Sequence, residues 1–156
     1  MVHRFSVAVF FLSAIASFAH ACEDFSGKWV GKCAYEGTST VDPDTQVITQ
    51  CDCKNIHLLG SNFTIGETIT SVNTSDYEEH NIGRLDWERG ERALRLISSF
   101  VRLRPGGPLV EQGFTVGTWH LEKGKLFRNA DISAKRHTDG QGGEVETIKI
   151  RCEYQK

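Results

Sequence analysis

The stretch Phe25-Ser26-Gly27-Lys28-Trp29-Val30-Gly31-Lys32-Cys33-Ala34-Tyr35 decides the fold. In an extended chain successive side chains point to opposite faces, so Trp29, Cys33 and Tyr35 share one face around Gly31, while Lys28, Val30 and Lys32 share the other. The far end has the same character: Ile148, Ile150, Cys152 and Tyr154 lie on one face, and Thr147, Lys149, Arg151 and Glu153 on the opposite one. Both segments read as half-buried strands. Between them, short runs rich in Val, Ile, Thr and aromatic residues alternate with clusters of Gly, Asn, Asp and Ser, the pattern of antiparallel strands.

Eight strands are expected: 28–36, 46–53, 62–72, 81–88, 93–104, 110–121, 125–135 and 143–154. Asp42-Pro43-Asp44, Glu88-Arg89-Gly90, Pro105-Gly106-Gly107-Pro108, Glu122-Lys123-Gly124 and residues 138–143 supply turn chemistry between them. Ala93, Leu94, Leu96 and Ile97 could also share a helical face, but the neighbouring Arg102-Leu103-Arg104 and the position between two strands favour a strand. A meander of eight strands leaves two long bare edges unless the sheet curls until first and last strands pair, so an all-β, antiparallel, up-and-down barrel is the expected architecture. There is no internal repeat or linker, and residues 22–156 are read as one domain.

The chain has 156 residues, 39% hydrophobic and 24% charged, which fits a globular domain and excludes a disordered or collagenous one. Its 18 basic and 20 acidic side chains give a net charge of −2, without the basic excess that nucleic-acid binding requires. His3 and Arg4 precede an apolar run over residues 5–18, and Ala19-His20-Ala21 follows with small residues where a signal peptidase reads them. Residues 1–21 are therefore expected to be a cleaved secretory signal peptide. The run is shorter than the roughly 20 residues that span a hydrocarbon core. Cleavage removes Arg4 and leaves a charge of −3. The expected location is secreted or periplasmic.

Cys22 would then be the first mature residue. A second reading makes it a lipidated residue that anchors the domain to a membrane, although Ala19 and His20 differ from the usual lipoprotein signal. Lipidation would leave an even set, Cys33, Cys51, Cys53 and Cys152, able to form two disulfides in an oxidising compartment. Four cysteines allow three connectivities. Cys51 and Cys53 share a strand face and each needs a partner elsewhere, while Cys33 and Cys152 face inward on strands expected to be neighbours.

Gly27-Lys28-Trp29, opening the first strand soon after the signal, resembles the G-x-W signature of the lipocalins and their calycin relatives. The resemblance implies a lipocalin-like barrel in which Trp29 closes one end beneath a basic side chain from the last strand, with Arg151 or Lys149 near the corresponding place. Ser75-Asp76-Tyr77 is only loosely similar to the family's second motif. The resemblance implies no catalytic residue.

The function expected is non-covalent binding of a small hydrophobic or amphiphilic ligand, with Trp29, Tyr35, Phe63, Phe114, Trp119, Phe127 and Tyr154 lining the interior together with Ile65. An interior filled by its own side chains would instead leave a protein-binding module, using a loop such as residues 102–109 at one barrel mouth. No enzyme is expected: there is no nucleophile elbow, zinc-protease helix motif or phosphate loop, and Asp86 and Glu88, flanking Trp87 near Arg84, Arg89 and Arg92, read as a solvated patch. No cofactor or metal is expected, since thiols such as Cys51 and Cys53 near His57 oxidise to disulfides outside the cytosol. His80, His120 and His137 read as surface residues. Asn62-Phe63-Thr64 and Asn73-Thr74-Ser75 are glycosylation triplets in a eukaryotic secretory host.

Overall fold

Alternating burial along each segment curls the chain into a nearly closed antiparallel barrel. The computed structural model describes residues 22–88, 90, 92–138 and 141–156, so the expected leader and Arg89 lie outside the described residues. Ten strands form rather than eight: β1 (Gly27–Tyr35), β2 (Val41–Gln50), β3 (Asn55–Leu58), β4 (Ser61–Thr64), β5 (Thr68–Thr74), β6 (Glu78–Glu88), β7 (Ala93–Leu103), β8 (Leu109–Glu122), β9 (Lys125–Thr138) and β10 (Gln141–Gln155). They make one sheet in the order β4-β3-β2-β1-β10-β9-β8-β7-β6-β5. The terminal strands pair over six residues, from Val30 opposite Gln155 to Tyr35 opposite Ile150.

Three departures from the sequence pattern have local causes. The segment 62–72 splits into β4 and β5 because Gly66, at φ +83°, turns the chain and donates its N–H to Leu85 O at 2.9 Å. Asp42-Pro43-Asp44 lies inside β2, with Pro43 opposite Lys32. β3 joins β2 only at Thr49 and Gln50, so Pro43 sits on a bare stretch of strand where its missing N–H breaks no ladder. β3 itself is four residues, too short to show a period, and it returns through Leu59 and Gly60, both with positive φ, as a tight hairpin. The segment Ala93–Leu103 is a strand.

β4 and β5, consecutive in sequence, are the two edges of the sheet and flank a seam. The seam is tied at its lower end by Trp87 Nε1–H, on β6, to Cys53 O before β3, 2.7 Å.

At the closure, β1 and β10 approach so closely that a Cβ on Gly31 would lie 2.0 Å from the Glu153 carbonyl oxygen. Two residues farther along β1, Cys33 stands directly opposite Cys152 and is bonded to it across 119 residues of sequence. A second disulfide, Cys22–Cys53, spans 31 residues and ties the segment before β1 to the β2–β3 connection. Such links act chiefly by restricting the unfolded chain, more so for the longer loop, which gives roughly 5 kcal/mol for Cys33–Cys152 and roughly 4 kcal/mol for Cys22–Cys53. Denaturant unfolding should therefore show Cys33→Ala/Cys152→Ala losing more stability than Cys22→Ala/Cys53→Ala. Equal losses would contradict closure by the longer link.

Candidate functional site

The barrel interior has two halves of different character. At one end the inward residues are large and apolar: Phe25, Trp29, Leu94, Trp119, Leu126 and Tyr154 are at most 2% exposed. Phe25 belongs to the segment before β1 and plugs this end, where its carbonyl accepts the Trp29 indole N–H at 2.9 Å and its ring packs 5.9 Å from that of Trp87. Each buried ring removes on the order of 200 Å² from water, about 5 kcal/mol of gross transfer energy, so this half is a packed floor. The same strand faces continue upward with smaller and polar residues, and the floor gives way to a cavity of about 390 Å³. Phe100, Ile132 and Ile148 form its apolar wall, with Ser98 and Thr115 beside them. A cleft of about 220 Å³ between Leu59 and Ser61 at the hairpin tip and Ile69 and Ser71 on β5 shares Glu79, Asn81 and Ser98 with it, so the cavity opens both at the mouth and along the seam.

Charged groups ring this space. Arg102 on β7 is held by Glu79 on β6 and by Glu111 on β8, the latter at 2.6 Å, and Arg136 on β9 reaches Glu111 at 3.4 Å. Burial is the largest influence on Glu79 and opposes ionisation, but hydrogen bonds from Asn81 and Arg102 outweigh it and hold the carboxyl below its ordinary pKa. Deeper in the barrel, Tyr154 donates its phenolic O–H to Asp44 at 2.6 Å, Gln46 donates to the same carboxylate at 2.9 Å, and Arg128 stands 3.7 Å away with its guanidinium over the Trp119 ring. Burial again opposes the Asp44 charge, and the bonds from Tyr154, Gln46 and the Thr45 amide with Arg128 win, so Asp44 also ionises below its usual range. Burial and then the Asp44 carboxylate push the Tyr154 phenol above its usual value. Trp119 Nε1 and Arg128 Nε are buried without a hydrogen-bond partner among the described residues.

The residues expected to line a binding site are distributed differently. Trp29, Trp119 and Tyr154 belong to the floor, and Phe63 is buried beside the seam cleft. Ile65 packs partly buried against the core. Tyr35 is half-buried at the upper end of β1. Phe114 is 51% exposed on the outer face, and Phe127 stacks on His120 there, because both have the outward parity of their strands. The wall residues Phe100, Ile132 and Ile148 were the ones missed, although Ile148 shares its face with Tyr154 and Cys152. The basic group over Trp29 is Lys156, 4.8 Å from the ring, whereas Lys149 pairs with Glu36 and Arg151 with Asp131.

The cysteine set is also revised. Cys22 pairs with Cys53 and leaves Cys51 the free, exposed thiol, so the even set that lipidation of Cys22 would leave is not the one that bonds. A Cys22 sulfur in a disulfide has no valence for a lipid, and Cys53 offers no thiolate beside His57. Cys33, Cys152 and Asp44 lie within 4.8 Å of one another, but the joined sulfurs remove them as thiolate ligands. Residues 104–108 form a tight turn, closed by Gly107 N–H to Arg104 O at 2.8 Å. Asp86 pairs with Arg84 and Glu88 with Arg95. Asn62 and Asn73 are exposed, one on each edge strand. The disulfides accord with an oxidising compartment. No known protein family, curated protein or solved structure matches the chain.

Groups whose folded pKa is depressed contribute stability that is complete above their unfolded values and lost as pH falls through the folded ones. With Asp44 and Glu79 both lowered, the urea midpoint should fall as pH drops from about 5 to about 3. Asp44→Asn should make that decline shallower. An unchanged pH dependence in this variant would show that Asp44 is not held as described.

Proposed function

We propose that the protein is an exported, lipocalin-like barrel that binds one small amphiphilic molecule non-covalently in the open half of its interior. The observation that carries this reading is the unfilled space above the packed floor: about 390 Å³, within the usual size of small-molecule pockets, with an apolar wall on one side and polar groups on the other. A barrel filled throughout by its own side chains would leave no such space. Two further features support the family-level reading. Trp29 of the Gly27-Lys28-Trp29 triplet closes the packed end, and it does so beneath Lys156, a basic side chain just beyond the last strand. The disulfides support export, and their positions away from the cavity leave it unobstructed.

A protein-binding reading is favoured by a different surface from the 102–109 turn. Phe114, Val101 and Val145 line an apolar groove of about 420 Å³ on the outer face, and contiguous exposed apolar surface of this kind marks interaction sites.

A neutral apolar dye, N-phenyl-1-naphthylamine, separates the two. Saturable fluorescence enhancement is expected, weakened at least tenfold by Ser98→Phe, which fills the junction of cavity and cleft, and unaffected by Phe114→Glu on the outer groove. Circular dichroism establishes that both variants fold. Absence of saturable binding, or loss through Phe114→Glu alone, would overturn the interior site.

A further inference from the structure

Strand parity divides the charged residues into an outer and an inner set, and the inner set is unbalanced. Every lysine of the ten strands lies on an outward position or points to solvent, whereas the inward positions carry carboxylates and guanidinium groups. On the inward face β2 contributes Asp42 and Asp44, β6 contributes Glu79, β8 contributes Glu111 and β10 contributes Glu146. Three arginines oppose these five carboxylates: Arg102 from β7, and Arg128 and Arg136 from β9.

The pairing accounts for all three cations. Arg128 is committed to Asp44. Arg102 lies between Glu79 and Glu111, and Arg136 shares Glu111 with it. Asp42 and Glu146 are left without an ion pair among the described residues, and Glu146 lines the cavity beside Ile148. Glu146 stands toward the open end, opposite Ala134 on β9, whereas Asp42 lies on β2 opposite Cys33 and is not among the residues that line the cavity. A concave, low-dielectric surface lined by one sign of excess charge concentrates the opposite ion. Phe100 adds a ring face that already receives the Arg102 cation at 5.4 Å.

We infer that the ligand is a cationic amphiphile, an alkyl or aryl amine whose apolar body lies against Phe100, Ile132 and Ile148 and whose ammonium group meets Glu146 at the mouth, where the three carboxylates of the cavity, Glu79, Glu111 and Glu146, outnumber its two arginines. This rests on the binding site proposed above and goes further, because a site for uncharged or anionic amphiphiles needs no excess of carboxylates. A fatty acid of equal length would present a like charge to Glu146.

Isothermal titration of the full chain with octylammonium and with octanoate, at pH 7 and low salt, tests the inference with one chain length and two charges. Octylammonium is expected to bind at least tenfold more tightly than octanoate. Added salt should narrow the ratio, since the exposed part of the interaction is screened, and Glu146→Gln should bring it close to one while binding of neutral N-phenyl-1-naphthylamine persists. Octanoate binding as tightly as octylammonium, with the dye still bound, would overturn the ligand class alone. Failure of dye and both amphiphiles to bind would overturn the interior site and the inference with it.

Discussion

Everything in this structure follows from the pairing of β1 with β10. A ten-stranded antiparallel ribbon has no inside until its two terminal strands meet, and that contact turns alternation along each strand into a distinction between core and surface. The meeting is demanding, because the backbones come so near at Gly31 that any larger residue would collide with the Glu153 carbonyl. It is also fastened covalently, by Cys33 to Cys152 at a directly opposed pair. β4 and β5, consecutive in sequence, end the strand order on either side of one seam, and the upper part of β2, which β3 joins only at Thr49 and Gln50, is bare as well.

Closure also accounts for the uneven interior. Aromatic side chains converge at the end where the segment before β1 supplies Phe25, and the volume there is taken up. Along the same faces, Ser98, Thr115 and Ala134 are too small to meet across the barrel, and the space they leave is what a ligand would occupy. The charged ring of Glu79, Arg102, Glu111 and Arg136 stands at the boundary with solvent, where partial hydration makes it tolerable, and the one deep ion pair, Asp44 with Arg128, is supported by the Tyr154 phenol. Packing therefore stabilises one end while the other keeps an unfilled cavity.

Much of this was legible in the chain, for physical reasons. The alternation around Trp29 and Tyr154 specified both terminal strands and the inward direction of Cys33 and Cys152, because a period of two admits only one burial assignment. The short elements were not legible: Asn55–Leu58 is too brief for a period, and the turn at Gly66 depends on a hydrogen bond to Leu85 that no local signal reveals. Pro43 read as a turn because its acceptability in a strand depends on which neighbours β2 lacks. The site was legible only in part. Selecting large aromatics found the floor, whereas cavities are bounded by residues that fail to fill space. Projecting the parity of Tyr154 back along β10 would have reached Ile148 and Glu146. The partner of Cys53 was hidden because Cys22 lies in no strand.

The most direct measurement of the central claim is native-state amide hydrogen exchange resolved by residue. Exchange is slowest where ladders are closed on both sides and open only on global unfolding. Amides of Lys32, Cys33, Arg151 and Cys152 should be among the last to exchange, while those of Val72, Asn73 and Thr74 on the bare edge exchange early. Exchange of the β1 and β10 amides as fast as those of the β5 edge would mean that the terminal strands do not hold the barrel shut, and the interior described here would not exist.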